Sequence, residues 1–241
     1  MEVLPIDEAL PDLLAALRRE RQAVLQAPPG AGKTTRVPLA ILEAGLSDGH
    51  IVMLEPRRLA TRAAAARMAE TLGEPVGQTV GYRIRGDAKI SRKTRIEVVT
   101  EGILTRMIQS DPSLEGVGAV IFDEFLERSL NADLGLALAI EIREALRDNL
   151  LLLAMSATLD AAPVAALMGN APVISSEGRS YPVETIWLDR PVPKNVRFET
   201  AMADLIRSAA EKTEGGMLAF LPGEGEIRRV TTLLDLPGVT I

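Results

Sequence analysis

The chain has 241 residues, 47% of them hydrophobic and 25% charged, which is enough for a sizeable core and excludes wholesale disorder. It has no cysteine, which rules out disulfides, Cys-ligated zinc, iron–sulfur clusters and thiol catalysis; its single histidine, His50, rules out a poly-His metal site and disfavours a Ser-His-Asp triad. The net charge is −6, yet Glu55 to Ser110 carries 11 Lys/Arg against 6 Asp/Glu, a local +5 that leaves −11 for the rest. A basic stretch in an acidic protein suits a phosphate-binding face or a merely solvated surface. No apolar run approaches the roughly 18–20 residues that span a bilayer. Met1-Glu2-Val3-Leu4-Pro5 lacks the basic and apolar regions of a secretory signal. The expectation is a soluble cytoplasmic protein.

In chain order, Ala23 to Ala27 reads as a buried strand, followed by a Gly-rich turn and a helix from about Lys33. Ile51 to Leu54 is the next strand, and Leu59 to Leu72 an Ala/Arg helix ended by Gly73. His50, just before that strand, reads as a structural or solvated loop residue. Thr79 to Tyr82 and Ile96 to Val99 are shorter strand candidates. Val117 to Phe122 is strongly apolar, Leu130 to Leu146 helical, and Leu150 to Met155 a further strand. Apolar runs separated by helices predict βαβ units, with a mostly parallel sheet covered on both faces. The pattern breaks at Asp189-Arg190-Pro191-Val192-Pro193-Lys194, where two close prolines disfavour helix and strand alike. A linker over 189–196 divides a domain over 1–188 from the opening of a second over 197–241. That opening has a helix from about Arg197 to Lys212, a strand over Met217 to Leu221, and a helix from near Glu224.

The strongest chemical signal is Ala27-Pro28-Pro29-Gly30-Ala31-Gly32-Lys33-Thr34-Thr35, between a strand and a helix. It fits GxxxxGK[ST] except that Ala27 replaces the first glycine. Glycines let the backbone N–H groups face phosphate oxygens, and the helix N-terminus adds partial positive charge. Lys33 reaches the β- and γ-phosphates, and the Thr34 hydroxyl is suited to Mg²⁺. A nucleotide hydrolase also needs acids. Asp123-Glu124 follows a buried parallel strand at the ligand-binding edge of the sheet, with Asp123 for Mg²⁺ and Glu124 to orient and deprotonate water. Ser156-Ala157-Thr158 ends the next strand in the same way, although such a tripeptide also caps helices. Besides an ATP hydrolase, these residues leave open a nucleotide-binding regulatory module without useful turnover and a small-molecule kinase. No lid or acceptor pocket is evident for the kinase.

The ordered set resembles superfamily-2 helicases of the DEAH/RHA group, and in particular bacterial HrpB-type ATP-dependent helicases. The resemblance rests on Gly30 to Thr35, Pro56-Arg57-Arg58-Leu59-Ala60, Thr100-Glu101-Gly102, Asp123-Glu124-Phe125-Leu126 and Ser156-Ala157-Thr158, in that order. Gly178-Arg179-Ser180-Tyr181-Pro182-Val183 looks like the segment that closes the first domain in that group, and Gly216 to Gly223 like the first strand of the second. The resemblance implies a RecA-like P-loop NTPase domain and the start of a second RecA-like domain, the rest of the C-terminal helicase domain being absent. It also implies ATP and Mg²⁺ as cofactors, and ATP-driven translocation on, or unwinding of, RNA. Lys33, Asp123 and Glu124 are then catalytic. Pro29, Gly30, Ala31, Gly32, Lys33, Thr34 and Thr35 bind nucleotide, with Arg67 stacking on the base. Thr34 and Asp123 hold the metal.

The resemblance also implies that Arg57, Arg58, Arg83, Arg85, Thr100, Glu101 and Gly102 form the RNA path, on single strands. With 3% aromatic residues, stacking contributes little, so recognition is electrostatic and largely sequence-independent. Ser156, Thr158 and position 126 couple the ATP site to the second domain; the chain has Leu126 where the group has histidine, and leucine donates no hydrogen bond. A chain limited to 1–241 is expected to bind nucleotide and hydrolyse it very slowly, because the group's arginine finger comes from the second domain.

Overall fold

The structure is a computed structural model that describes residues 3–125, 129–157, 161–178 and 182–241. It divides into two compact units, residues 1–181 and 182–241.

The first unit opens with helix α1 (Ile6–Glu20), then strand β1 (Gln22–Gln26), α2 (Lys33–Glu43), β2 (His50–Glu55) and α3 (Arg58–Thr71). Next come β3 (Val80–Ile84), β4 (Asp87–Lys89), β5 (Ile96–Thr100), α4 (Glu101–Ser110) and β6 (Val117–Phe122). The unit closes with α5 (Leu130–Ala145), β7 (Leu151–Ser156), α6 (Ala162–Leu167) and β8 (Val173–Ser175). The eight strands form one sheet in the order β4-β3-β5-β2-β6-β7-β1-β8. Every pairing is parallel except the β3–β4 hairpin.

The continuous apolar runs arise because both faces of this sheet are covered. Side chains alternate along each strand. Ala23, Leu25, Ile51, Met53, Ala119, Ile121, Leu151 and Leu153 join one core with Ile6, Leu13 and Leu17 of α1, Val37 and Ile41 of α2, and Met68 of α3. Val24, Val52, Leu54, Val120, Phe122 and Leu152 join the opposite core with Leu104 of α4, Leu136 and Ala139 of α5, and Val164 of α6. Because β1, β2, β6 and β7 run the same way, their carboxyl ends share one edge. Register fixes this closely: Gln26 pairs with Ser156, Leu54 with Phe122, and Phe122 with Ala154.

Several elements differ from the sequence expectation. α1 was not foreseen, nor were β4, α6 and β8. β2 includes His50, which is exposed at its start, and Glu55 at its end. The second unit contains α7 (Phe198–Ala210) and α8 (Glu224–Leu233), which pack through Ala203, Ile206 and Val230. The strand expected over Met217 to Leu221 is not formed, and Leu218 and Phe220 are exposed. A strand exists only through a hydrogen-bonded neighbour, and among the described residues the second unit has no strand to pair with. Residues 182–196 carry no helix or strand.

The turn into β2 crosses the start of β6, where Gly49 meets Gly116 and Gly118. A Cβ on Gly49 would fall on the carbonyl oxygen of Gly116 and within 2.9 Å of the Gly118 nitrogen, both backbone atoms that cannot swing aside. Gly49→Ala is therefore expected to destabilise the first unit by about 1–3 kcal/mol. A shift of the urea midpoint to lower concentration would report this; an unchanged midpoint would show that the crossing is loose.

Candidate functional site: a nucleotide cavity at the strand ends

Between β1 and α2 the chain makes a tight loop. Gly30 and Gly32 have φ of 78° and 94°, a conformation that carries little strain only without a Cβ. Pro29 and Gly30 are exposed, whereas Ala31 is buried. Gly32 caps α2, so the first backbone N–H groups of that helix open towards the loop. The loop is held from behind by α1: Ile6 N donates to Ala31 O at 3.1 Å, and Leu4 lies against the face of Gly32. Across from it, Ser176 Oγ donates to Pro5 O, and a Cβ on Gly178 would fall on the Pro28 ring.

Residues about ninety positions apart meet here. Lys33 is 4% exposed, and its ammonium donates to Glu124 Oε1 at 2.6 Å. The Thr34 hydroxyl donates to Asp123 Oδ2 at 2.5 Å. Asp123 is placed by its own N–H, which donates to Leu54 O and so extends the sheet by one residue. Glu124 has φ of 48°, a left-handed conformation uncommon outside glycine, and its N–H donates to Asp123 Oδ1. That twist turns two consecutive carboxylates towards two consecutive residues of α2.

A third carboxyl completes the cluster. Glu55, the last residue of β2, is buried, and its carboxyl is pushed up to about 9. Burial is the main cause, followed by the adjoining Asp123 carboxylate and its hydrogen bond, then Glu124, with Lys33 opposing. Burial also lifts Asp123, against the Thr34 hydroxyl and the Lys33 ammonium. Glu55 was overlooked in the sequence, although an acid at the carboxyl end of a buried strand is the same signal that singled out Asp123.

A cavity of about 470 Å³ adjoins this cluster, bordered by Thr34, Thr35, Glu55, Arg57, Arg67 and Glu124. Arg67, expected to face the base, does border it, and its guanidinium is paired with Glu70 at 2.7 Å. Arg36, on α2, pairs with Asp7 of α1 at 3.5 Å. Ser156 is buried at the end of β7, with its carbonyl accepting from Ala27 N at 2.9 Å. Leu126, Thr158 and Arg179 to Tyr181 lie outside the described residues.

The expected RNA path is distributed. Arg57 is exposed at the N-terminus of α3, on the nucleotide side. Arg58 is exposed too, and its guanidinium donates to Arg85 O at 3.1 Å, joining α3 to the tip of the β3–β4 hairpin. Arg83 instead forms a 2.7 Å ion pair with the buried Glu97 of β5. Thr100 is the N-cap residue of α4, and a Cβ on the exposed Gly102 would meet nothing within 4 Å. The Glu101 carboxylate accepts from the Ser129 hydroxyl, whose oxygen in turn caps α5 by accepting from Ala132 N. Glu101 thus ties α4 to the segment after Asp123-Glu124.

A RecA-like sheet with a glycine-turned phosphate loop, and acids at the next strand ends, defines a P-loop NTPase fold. Residues 7–167 match the DEAD/DEAH box helicase family, and the chain belongs to that family. It is 52% identical over 230 residues to the ATP-dependent RNA helicase HrpB of Escherichia coli K12, covering 95% of this chain and 28% of that protein. It is 36% identical over 237 residues to an ATP-dependent RNA helicase HrpA homolog of Haemophilus influenzae, covering 97% of this chain and 18% of that protein. The crystal structure of the E. coli DEAH/RHA helicase HrpB superimposes with a TM-score of 0.90, over 95% of this chain and 29% of that one. The second unit is accordingly the start of a second RecA-like domain. The chain spans less than a third of the length of these relatives. Among the described residues, no helix is long and apolar enough to cross a membrane.

Glu55 supplies a pH test. A carboxyl whose folded-state value lies above its unfolded one is protonated longest in the folded chain. Folded-state stability therefore falls as pH climbs from about 5 to 9. Glu55→Gln keeps a hydrogen-bond donor and removes the titration. Without nucleotide or metal, its stability advantage over wild type should widen between about pH 5 and pH 8 in urea unfolding. A constant difference would mean that Glu55 is ionised in the folded chain.

Proposed function

We propose that this chain is the ATP-binding part of an RNA helicase, in which Lys33, Thr34, Asp123 and Glu124 bind and hydrolyse ATP. The observation that carries the reading is the paired meeting of Lys33 with Glu124 and of Thr34 with Asp123 beside the Arg67 cavity.

The donor set suits a magnesium ion. The Asp123 and Glu124 carboxyl groups face one ammonium, with Glu55 beside them holding its proton, so the cluster is short of positive charge. Its oxygen donors are a hydroxyl and a carboxylate, and among the described residues no three His, Cys, Asp or Glu side chains are grouped so as to hold a metal ion by themselves. Magnesium in nucleotide sites takes one or two protein oxygens and completes its shell with phosphates and water. Thr34 and Asp123 would hold it, and when bound it neutralises charge developing on the phosphoryl oxygens.

The remaining steps belong to the protein. The loop N–H groups and the α2 N-terminus receive the phosphate chain. Lys33 exchanges its Glu124 partner for the β- and γ-phosphate oxygens, because a phosphate brings more negative charge to the same ammonium. Glu124, released at its left-handed turn, accepts a proton from the attacking water. The base lies in the cavity against Arg67, beside the small side chains of α3.

Single-stranded RNA runs along the N-termini of α3 and α4. Arg57, Arg58, Arg85, Thr100 and the Gly102 backbone take phosphates, without reading bases. The Arg83 guanidinium serves the same path by holding β3 to β5 through Glu97.

Lys33→Ala is expected to weaken ATP binding at least about tenfold, the worth of a charge-assisted contact. Glu124→Gln should keep affinity within a few-fold while lowering single-turnover hydrolysis by about 10² or more. Calorimetry and quenched-flow hydrolysis check the pair. Equal affinities for wild type and Lys33→Ala would remove the phosphate-loop assignment, and a wild-type rate in Glu124→Gln would remove Glu124 as the base.

A further inference from the structure

The hairpin β3–β4 forms the edge of the sheet, with Ile84 paired to Asp87 and the turn made by Arg85 and Gly86. Gly86 has φ of 81°, as such a tight turn requires. By itself a three-residue edge strand fixes little. Yet Arg62 of α3 reaches across to it. Arg62 Nη2 and Nε both donate to Asp87 Oδ2, at 2.7 and 3.2 Å. The Tyr82 hydroxyl donates to the same oxygen at 2.9 Å. The guanidinium carbon stands 5.9 Å from the Tyr82 ring centroid, and Tyr82 itself is buried. These hydrogen bonds from Arg62 and Tyr82 hold the Asp87 carboxyl below its usual range, so it stays ionised.

Arg58 lies four residues before Arg62, on the same helical face. Its guanidinium bonds the carbonyl of Arg85 at the hairpin tip. Arg62 therefore secures the hairpin body while Arg58 secures its tip. Asp87 contradicts simple electrostatics. It places a negative charge in the most basic stretch of the chain, where it weakens attraction for a polyanion. As an exposed ion pair it stabilises little. Its effect is geometric, since three donors from two side chains, Arg62 and Tyr82, converge on one oxygen.

We propose that Arg62 and Asp87 are positioning residues that clamp the β3–β4 hairpin to α3, so that Arg58 and Arg85 present one phosphate-binding edge to RNA. The inference rests on the RNA path proposed above. Neither residue needs to touch RNA.

The sign of the effect tests it. Binding of a single-stranded oligonucleotide RNA to the 241-residue chain is followed by fluorescence anisotropy at several salt concentrations. A bystander carboxylate predicts that Asp87→Asn tightens binding, because a repulsive charge is gone. The clamp predicts the reverse: weakening by about fivefold or more, with a shallower salt slope as a phosphate contact is lost. Asp87→Glu should recover part of the loss, while ATP affinity stays at the wild-type value in the Asp87 and Arg62 variants. Arg62→Lys keeps the charge but replaces the planar two-point contact with a single point. The clamp predicts weaker binding here, and a bystander predicts no change. Tighter or equal RNA binding by Asp87→Asn, or wild-type binding by Arg62→Lys, overturns the proposal. Arg57→Ala with Arg58→Ala serves as the control. If that double variant binds RNA as wild type does, the RNA path itself is wrong, a failure separate from that of the clamp.

Discussion

The site depends on one buried ammonium. Lys33 is almost wholly enclosed and faces carboxyl groups from two strands, at the ends of β2 and β6. Removing charges from water costs several kcal/mol per ion unless each is closely paired. Lys33 can balance Glu124, with which it pairs at 2.6 Å, but it cannot also balance Asp123 and Glu55. The imbalance is relieved by a proton on Glu55 and by the Thr34 hydroxyl on Asp123. Even so, the cluster stays short of positive charge, which is the electrostatic ground for the magnesium site proposed above.

Strand order turns this charge pattern into a site. β7 separates β1 from β6, so the residue after β1 and the residue after β6 approach across the end of β7, where Ser156 is buried. Parallel strands bring all these ends to one edge, and the crossovers place α1, α2 and α3 on one face and α4, α5 and α6 on the other. A loop with two left-handed glycines is entropically costly to hold open. α1 offsets that cost by bonding Ala31 and covering Gly32, and Gly178 reaches Pro28 from the far side. The N–H groups of the loop are thereby held in place in advance, as an anion site requires.

Much of this was legible in the sequence. Four apolar runs with chemistry at their carboxyl ends gave the parallel sheet and the phosphate loop, because strand ends in such sheets share an edge. α1 was missed although Ile6, Leu13 and Leu17 are spaced for one helical face, since Pro5 and Pro11 look like breakers. β4 has three residues, too few for a period to register. Glu55 was passed over because a single acid before Pro56 carries no pattern of its own; only the approach of Asp123 gives it meaning. For Met217 to Leu221 the apolar run was real, but apolarity does not supply the neighbouring strand. Arginine counts misled in another way. Arg62 and Arg83 add to the basic excess of their stretch, yet each is matched by a carboxylate distant in sequence, Asp87 and Glu97.

The first turn of α3 joins the two halves of the reading. Arg57 borders the nucleotide cavity, while the next residue, Arg58, bonds the hairpin tip. Arg57 is the extended N-cap residue (φ −121°, ψ 133°) and Arg58 the first helical residue, so the change of backbone at the helix start gives the two adjacent side chains different neighbours. The hydrogen bond of the buried Thr61 hydroxyl to Arg57 O stiffens that turn further. The cavity lining and the anchor of the hairpin therefore sit on consecutive residues at one helix start, so the two regions are joined within the first unit by itself.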